Sequence, residues 1–315
     1  MFQVDACLCC SSDDMRKYPA VVTPFIREYV LSNDNPVCNL LECKKCGFRF
    51  FDQRFEEDEV GKLYSRYRTD HYFQARNKHE FWYTRKINDS IGKDAGTITQ
   101  RQAYLTTFLR NHIGDGKLSS VLDYGGDRGQ FIPEDVAEER FVYEVSNAVP
   151  IPGVQNISSE KELDGRRYQL IMLCHVLEHL SRPSTLVTAA KKLLEDKNAY
   201  LLVEVPYEKY NLKCYSSSSL YQKFVRVISN TPSFIRKMNE MYTLFFRGKL
   251  NMIPPLGILR MHEHINFFDV ESLSALLRNS GFKIIGHDLM KIKTDVSLTK
   301  VLLMLAQPAP KENVI

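Results

Sequence analysis

The feature that most constrains the fold is a short apolar strand that runs directly into a cluster of glycines. It spans Ser119–Phe131, and three of the chain's 15 glycines lie within five of its residues. Glycine lets the backbone turn tightly and approach a ligand closely. A second apolar strand, Phe141–Tyr143, leads into Glu144, where a carboxylate can hold ribose hydroxyls. The pattern predicts a nucleoside-binding β-α-β unit.

The spacing of these glycines excludes two other nucleotide-binding motifs. The order G-G-x-x-G differs from the G-x-G-x-x-G of dinucleotide sites, and no Gly-Lys-Ser/Thr follows to make a phosphate loop. The run Asp123-x-Gly125-x-Asp127-x-Gly129 instead resembles motif I of the class I S-adenosylmethionine-dependent methyltransferases, D-x-G-x-G-x-G, with an aspartate at the middle glycine. The neighbouring Gly126 can supply the flexibility that this aspartate lacks. The resemblance implies that S-adenosylmethionine is bound by Asp123, Gly125, Gly126, Asp127, Gly129 and Glu144.

Four later segments follow the order of that family. Tyr168–Leu180 contains H-V-L-E-H after an apolar run and resembles the fourth strand with the start of the next helix. Ala199–Pro206, Phe282–Ile285 and Thr299–Ala306 resemble the fifth, sixth and seventh strands, the last two as an antiparallel hairpin. Alternating strands and helices indicate a doubly wound sheet. The resemblance implies an α/β fold, a Rossmann-like seven-stranded methyltransferase sheet with helices on both faces.

The H-V-L-E-H segment has a competing interpretation. Cys174 and His175 stand at the end of the fourth strand, where the resemblance implies that they line the cofactor pocket. However, His175-x-x-Glu178-His179 also spells H-x-x-E-H, the inverted zinc-peptidase motif, in which both histidines bind a catalytic zinc ion. The carboxyl end of a strand is where open α/β sheets bind ligands, which favours the cofactor pocket. His179 is then expected to make a capping or core hydrogen bond.

The cysteines mark the amino-terminal region. Six of the eight lie in the first 46 residues, and four of them form two C-x-x-C pairs that are separated by 32 residues. Two such turns can hold zinc tetrahedrally, and a closed four-thiolate site is structural. The spacing is long for a paired site, Cys9 can replace either member of the first pair, and buried free thiols are the alternative. We predict a structural Zn²⁺ on Cys7, Cys10, Cys43 and Cys46.

These observations predict three regions: a zinc ribbon at 1–52, a helical aromatic bridge or lid at 53–116, and a methyltransferase core at 117–315. The bridge interleaves tyrosines with arginines. It is either a helical interface or a lid whose rings stack on sugar or base and whose arginines meet phosphate. A basic, apolar insertion at 207–260 is either a cover for the active site or an acceptor platform that touches a lipid-linked glycan or the membrane surface.

A general base is expected between the fifth and sixth strands, where Met261–Phe268 contains Glu263 and His264. Histidine is the natural base near neutral pH, and the adjacent carboxylate can orient its ring, although a surface charge cluster would give the same pattern. Together with the cysteine pairs, the segment resembles sugar methyltransferases, including deoxysugar C-methyltransferases that carry Tyr-His-Glu-His. The resemblance implies catalytic roles for His264, Glu263 and His175. Met261 replaces the tyrosine, and a further carboxyl-terminal domain of those enzymes is expected to be missing, so O-methylation of a surface polysaccharide stays open.

Composition limits the partners. Lys and Arg number 42 against 38 Asp and Glu, and this formal charge of +4 is too small to indicate nucleic acid. The opening residues lack the basic start and apolar run of a signal peptide, and no run approaches the ~20 apolar residues of a membrane span. We expect a cytoplasmic enzyme that acts on a sugar, nucleotide-sugar or glycan. An RNA or protein methyltransferase that uses the ribbon for recognition, and a non-catalytic binding protein, are the alternatives.

Overall fold

The computed structural model describes residues 1–31, 36–146, 148–208, 212, 219–231, 233–235, 237, 258–293 and 298–310. The predicted insertion at 207–260 lies in large part outside these residues. The chain forms two compact units. One holds residues 1–7, 11–91 and 208–267, and the other holds residues 8–10, 92–207 and 268–315.

Strands and helices are numbered along the chain. The strands are β1 Phe2–Gln3, β2 Met15–Val22, β3 Val37–Cys43, β4 Arg49–Phe51, β5 Gln53–Arg54, β6 Leu118–Tyr124, β7 Ala137–Tyr143, β8 Gln155–Ile157, β9 Leu170–Cys174, β10 Tyr200–Pro206, β11 Leu259–Met261, β12 Asn266–Phe267, β13 Phe282–Lys293 and β14 Leu298–Pro308. The helices are α1 Pro24–Tyr29, α2 Glu57–Tyr64, α3 Asp70–His79, α4 Arg85–Ser90, α5 Ala95–Ile113, α6 Glu160–Asp164, α7 Pro183–Leu193, α8 Ser219–Ser229 and α9 Val270–Asn279, with a 3₁₀ turn at Leu177–His179.

The first unit is built on a five-stranded sheet with the order β11-β2-β3-β4-β12. Strand β11 runs parallel to β2, and the other neighbours are antiparallel. Strands β2 and β3, with α1 between them, account for the long spacing between the two cysteine pairs. Strands β11 and β12 were not predicted from the sequence, because segments of two or three residues carry no readable periodicity.

The second unit contains a seven-stranded sheet with the order β13-β14-β10-β9-β6-β7-β8. The five strands from β10 to β8 are parallel, whereas β14 is antiparallel to both of its neighbours, β10 and β13. The predicted seven-stranded sheet and its terminal antiparallel hairpin are therefore confirmed. Parallel strands buried on both faces read as continuous apolar runs, which is why this part of the fold was readable from sequence.

Helices cover both faces of this sheet. Leu105 and Phe108 of α5 pack in one buried cluster with Leu303 and Leu305 of β14. Met304 lies between those two leucines in the strand, so its side chain points to the opposite face. Its sulfur accepts a hydrogen bond from the hydroxyl of Ser274 on α9 at 3.7 Å, which places α9 on that face. Among the described residues, no helix combines the length and the apolar character that a membrane span requires.

The connection between β6 and β7 corrects one expectation. The sequence predicted a β-α-β unit here, but residues 125–136 form turns and contain no helix. The reason lies in the backbone, since Gly125, Asp127 and Gly129 all have positive φ, at 73°, 56° and 70°. Left-handed residues at alternate positions cannot continue a right-handed helix. The glycine cluster therefore forms a compact loop at the carboxyl ends of the strands.

Candidate active site

The glycine loop folds directly onto the acidic end of β6. Gly125 N donates a hydrogen bond to Tyr143 O at 2.8 Å, which ties the loop to β7. A Cβ on Gly126 would lie 2.2 Å from the carboxylate carbon of Asp123, so only glycine permits this approach. Asp127 occupies the left-handed position where the motif has its middle glycine, and aspartate is one of the few residues that tolerate that conformation.

Glu144 lies at the end of β7 and joins the loop to the second strand. One carboxylate oxygen accepts a hydrogen bond from Asp127 N and the other accepts one from Ser146 N, both at 3.0 Å. A carboxylate has about four lone-pair positions, so Glu144 can still accept hydroxyl donors from a ligand. The side chain is half-buried, which leaves such an approach open.

Asp123 carries the strongest sign of a ligand site. Its side chain is fully buried, and neither carboxylate oxygen has a hydrogen-bond partner within the described part of the chain. Burial raises its pKa to about 7, against the opposing charge of Arg101, and the nearby carboxylates of Glu204, Glu144 and Asp127 raise it further. Buried polar groups are rarely left unbonded, and perturbed pKa values cluster at functional sites.

Next to Asp123 lies an ion network that sequence analysis missed. Arg101 of α5 forms an ion pair with the fully buried Glu204 of β10, and its guanidinium lies 3.5 Å from the ring centroid of Phe131. His175 Nε2 lies 2.9 Å from Glu204 Oε1, while its Nδ1 lies 3.1 Å from Glu178 Oε1. A glutamate inside the apolar run of β10 was the one sequence signal for this network.

The surroundings of His175 favour its protonated form. Burial lowers its pKa, but the hydrogen bonds that the ring donates to Glu178 and Glu204 outweigh burial, and the net shift of the pKa is upward. Its φ of 58° is left-handed, which is uncommon outside glycine and marks a functional constraint. Since both ring nitrogens face carboxylates, they are not disposed to bind zinc as the H-x-x-E-H interpretation requires. Cys174, beside it, lies in the apolar core, and burial raises its pKa well above the usual value.

A comparison with protein families shows which family the chain belongs to. A family model described as a methyltransferase domain matches residues 97–287, more than half of the chain. The chain belongs to this methyltransferase family. A comparison with curated proteins finds no match.

Several solved methyltransferase structures are also similar to the chain. The 1,6-didemethyltoxoflavin-N1-methyltransferase from Burkholderia thailandensis is 13% identical, with a TM-score of 0.43, 85% of this chain covered and 97% of that chain. An S-adenosylmethionine-dependent methyltransferase from Clostridium acetobutylicum is 8% identical, with a TM-score of 0.41 and coverage of 71% and 97%. The N-methyltransferase NodS from Bradyrhizobium japonicum is 11% identical, with a TM-score of 0.38 and coverage of 69% and 90%.

The segment predicted to supply the base lies in the first unit. Burial alternates along residues 261–265, so Glu263 and its neighbour His264 face different surroundings. The Glu263 carboxylate accepts hydrogen bonds from Tyr72 Oη and Arg76 Nη1, both at 3.0 Å. Glu208 Oε1 lies 3.6 Å from His264 Nδ1. That Glu263 orients His264 therefore stays a prediction, and Glu208 is a second carboxylate that can orient the ring.

Four cysteines of the amino-terminal region converge. The Sγ atoms of Cys7, Cys10, Cys43 and Cys46 all lie within 4.8 Å of one another. Cys9 is buried beside them, and its carbonyl accepts a hydrogen bond from Asn279 Nδ2 at 2.7 Å. Cys38 lies in the apolar core of the first unit, where burial raises its pKa well above the usual value. Both of these cysteines belong to the packing of the protein.

The two C-x-x-C turns have the same backbone geometry. In each, the residue after the second cysteine is left-handed, with φ of 57° at Ser11 and 73° at Gly47. Ser11 N donates to Cys7 O at 2.9 Å and Cys7 N donates to Ser12 O at 2.8 Å, while Gly47 N donates to Cys43 O at 2.9 Å and Cys43 N donates to Phe48 O at 2.9 Å. Cys10 therefore occupies in the first turn the position that Cys46 occupies in the second.

Proposed function

We propose that this methyltransferase transfers the methyl group of S-adenosylmethionine to a hydroxyl or carbon of a sugar, in a nucleotide-sugar or a surface glycan. The observation that carries the proposal is the unbonded, fully buried carboxylate of Asp123 beneath a loop that requires glycine at position 126. Within the methyltransferase family, such a site at the carboxyl ends of parallel strands is suited to a nucleoside cofactor.

The residues present fit this cofactor. Glu144 would accept the ribose hydroxyls, the backbone of Gly125–Gly129 would lie against the ligand, and Asp123 would gain a partner for its orphaned oxygens. Cys174 and His175 would line the same pocket, Cys174 as an apolar wall and His175 as a ring that Glu178 and Glu204 hold in place. The bound cofactor supplies a methyl group that is already activated on a sulfonium.

The proposed acceptor class rests on the sequence resemblance to sugar methyltransferases. The structure adds a carboxylate, that of Glu208, near the predicted base His264. His264 would remove the proton from the acceptor hydroxyl, and Glu208, 3.6 Å from its Nδ1, would orient the ring. Glu263 would position the segment through Arg76 and Tyr72 without touching the acceptor. Alignment of the acceptor for in-line attack would supply the remaining rate acceleration.

Calorimetry with S-adenosylhomocysteine tests the cofactor site. Glu144→Gln removes the charge that accepts ribose hydroxyls and should weaken binding by about tenfold to 100-fold. Glu139→Gln is the matched control, because Glu139 lies exposed on the same strand and should leave the affinity unchanged. The proposal fails if the wild-type protein shows no binding at millimolar cofactor, or if the two variants weaken binding equally.

A screen of sugar, nucleotide-sugar and glycan acceptors, read out as S-adenosylhomocysteine formation, tests the acceptor class. His264→Ala should lower turnover on the best acceptor by roughly 100-fold or more. His287→Ala, exposed on β13, is the control and should turn over like the wild type. Turnover on RNA or protein alone would exclude the sugar assignment, and normal turnover by His264→Ala would remove that residue as the base.

We further propose that Cys7, Cys10, Cys43 and Cys46 hold a structural zinc ion. Four sulfur atoms at this separation match a closed four-thiolate site, and the paired left-handed turns aim two thiolates each at one point. Metal analysis of freshly purified protein should give one zinc per chain. Cys10→Ser should lose the metal whereas Cys9→Ser should keep it, and the reverse result would assign Cys9 as the ligand.

A further inference from the structure

A cavity lies among the three short helices of the first unit. Its volume is about 410 Å³, which falls within the range of small-molecule sites. The lining comes from α1, α2 with the turn that follows it, and α3: Phe25, Glu28, Tyr29, Lys62, Ser65, Arg66, His71, Ala75 and His79. No motif of the methyltransferase family covers this region, since the family model begins at residue 97.

The lining has an excess of basic side chains. The one carboxylate named in the lining is that of Glu28. It lies 2.8 Å from His79 Nε2 and accepts a hydrogen bond from the ammonium group of Lys78. Lys62 lies 3.4 Å from the exposed carboxylate of Asp58, a surface pair that is worth little. Within the described ranges, the Arg66 guanidinium has no ion partner. The cavity therefore presents at least one uncompensated positive charge to a ligand.

A tyrosine supplies the second observation. The hydroxyl oxygen of Tyr29 is buried and has no hydrogen-bond partner among the residues that the structure describes. Its ring stacks on Phe25 at 5.3 Å between centroids and tilts against His71 at 5.5 Å, so the side chain is fixed in place. Burial raises the pKa of Tyr29, and the charge of Arg66 acts in the opposite direction. The hydroxyl thus stays protonated near neutral pH and can donate.

We propose that this cavity binds a phosphate or diphosphate group, with Arg66 and Lys62 facing its charge and the Tyr29 hydroxyl donating to one of its oxygens. Guanidinium matches phosphate in a bidentate geometry, and the Tyr29 ring, which stacks on the buried Phe25, gives the rest of the ligand an apolar contact. The group can come from a nucleoside diphosphate or from a lipid-linked diphosphate, which share this chemistry. The site needs no methyl donor, so its test is independent of the proposed function.

Calorimetry on the full chain without cofactor, at low ionic strength, tests the cavity with three probes: inorganic pyrophosphate, uridine diphosphate and geranyl diphosphate. Arg66→Ala should weaken pyrophosphate binding by about tenfold or more, and Tyr29→Phe by about threefold to tenfold. Arg16→Ala is the matched control, because Arg16 is 62% exposed on β2 of the same unit and lies outside the cavity. It should leave the affinity unchanged.

The relative affinities identify the source of the group. Tighter binding of uridine diphosphate than of pyrophosphate supports a nucleotide ligand, and tighter binding of geranyl diphosphate supports a lipid-linked one. Equal binding of all three supports recognition of the phosphate alone. The proposal is overturned if the wild-type chain binds none of the probes at millimolar concentration, or if Arg66→Ala and Arg16→Ala weaken binding equally, since that would be a general effect of charge.

Discussion

Each unit has a buried arginine that lies among carboxylates and near a histidine, yet the two networks differ in how fully they are bonded. In the first unit, Arg76 binds Glu80 at 2.8 Å and Glu263 at 3.0 Å, and its Nη1 donates to Tyr72 Oη at 2.9 Å. In the second unit, Arg101 and His175 both bind Glu204, but Asp123 beside them has no partner in the described chain.

This difference separates a network that supports the fold from one that lies at the candidate cofactor site. A buried charge is tolerated when hydrogen bonds and an opposite charge satisfy it, and it costs several kcal/mol when they do not. The pKa values follow the same division. Burial raises that of Glu80, but the charges of His262 and Arg76 outweigh burial and lower it to about 2, whereas burial raises that of Asp123 to about 7. The first network is bonded within the protein, whereas the second leaves the Asp123 oxygens without a partner in the described chain, as the proposed cofactor site requires.

The largest expected effect comes from breaking the bonded network at its centre. Arg76→Ala leaves Glu80 and Glu263 buried without their shared cation, and should lower the free energy of unfolding by about 3–5 kcal/mol. Urea unfolding at pH 7 measures the loss. Arg85→Ala on the next helix removes an exposed ion pair with Asp70 and should cost about 1 kcal/mol or less. Similar losses for the two variants would mean that the first network is not the scaffold it is taken to be.

The unbonded carboxylate should show the opposite behaviour. The folded pKa of Asp123 is raised, so the unfolded chain ionises first and stability is lost as pH rises from about 4 to about 7. A rise from 3.8 to about 7 corresponds to roughly 4 kcal/mol at about 1.36 kcal/mol per pKa unit. Without cofactor, Asp123→Asn should therefore become more stable than the wild type as pH rises through this window, while it binds S-adenosylhomocysteine more weakly.

Thermal unfolding between pH 4 and pH 8 checks this pH dependence. Asp164→Asn, exposed on α6 of the same unit, is the control and should follow the wild type throughout. A difference between Asp123→Asn and the wild type that stays constant with pH would show that Asp123 is bonded or ionised at all these pH values. A stabilised variant with unchanged cofactor binding would separate Asp123 from the site.

Sequence reasoning found the parts of the molecule that depend on local pattern. Apolar runs such as Leu170–Cys174 gave the parallel strands, and the glycine spacing located the loop beside Asp123. It placed a helix after that loop, because a motif read as letters does not reveal that Gly125, Asp127 and Gly129 are all left-handed. The error concerns backbone conformation and not the position of the loop.

Contacts between distant residues were beyond the sequence. Arg101 forms an ion pair with Glu204, which lies 103 residues later in the sequence. Nothing in the helical pattern of α5 distinguishes Arg101 from its exposed neighbours. Glu263 was paired with His264 because they are adjacent in the chain, but its hydrogen bond with Tyr72, 191 positions away, could not be read from that adjacency. Both networks therefore depend on tertiary contacts. The one sequence signal that indicates such a network is a lone charged residue within an apolar segment.

A smaller effect on the free energy of unfolding should distinguish the two networks at acidic pH. The folded pKa of Glu80 is depressed to about 2, so its contribution is present above about pH 4.5 and is lost as pH falls towards 2. Glu80→Gln should be less stable than the wild type by roughly 3 kcal/mol at pH 6, and this difference should shrink towards zero near pH 2.5. Chemical unfolding across this range measures it, with Glu57→Gln, exposed on α2, as control. A difference that grows on acidification would reverse the sign assigned to Glu80.

The smallest effect tests whether charge, and not burial alone, sets the strength of the first network. Tyr72 and Tyr83 are both buried, but the Tyr72 hydroxyl donates to the charged Glu263 at 3.0 Å, whereas that of Tyr83 donates to the neutral Asn88 at 3.1 Å. Hydrogen bonds to charged groups are worth about 1.5–3 kcal/mol and neutral ones about 1 kcal/mol. Tyr72→Phe should therefore lose more unfolding free energy than Tyr83→Phe. In the Arg76→Ala background the excess should change, because Tyr72 then has one charged partner instead of two. Equal losses for Tyr72→Phe and Tyr83→Phe in both backgrounds would show that the charge of Glu263 adds nothing to the Tyr72 hydrogen bond.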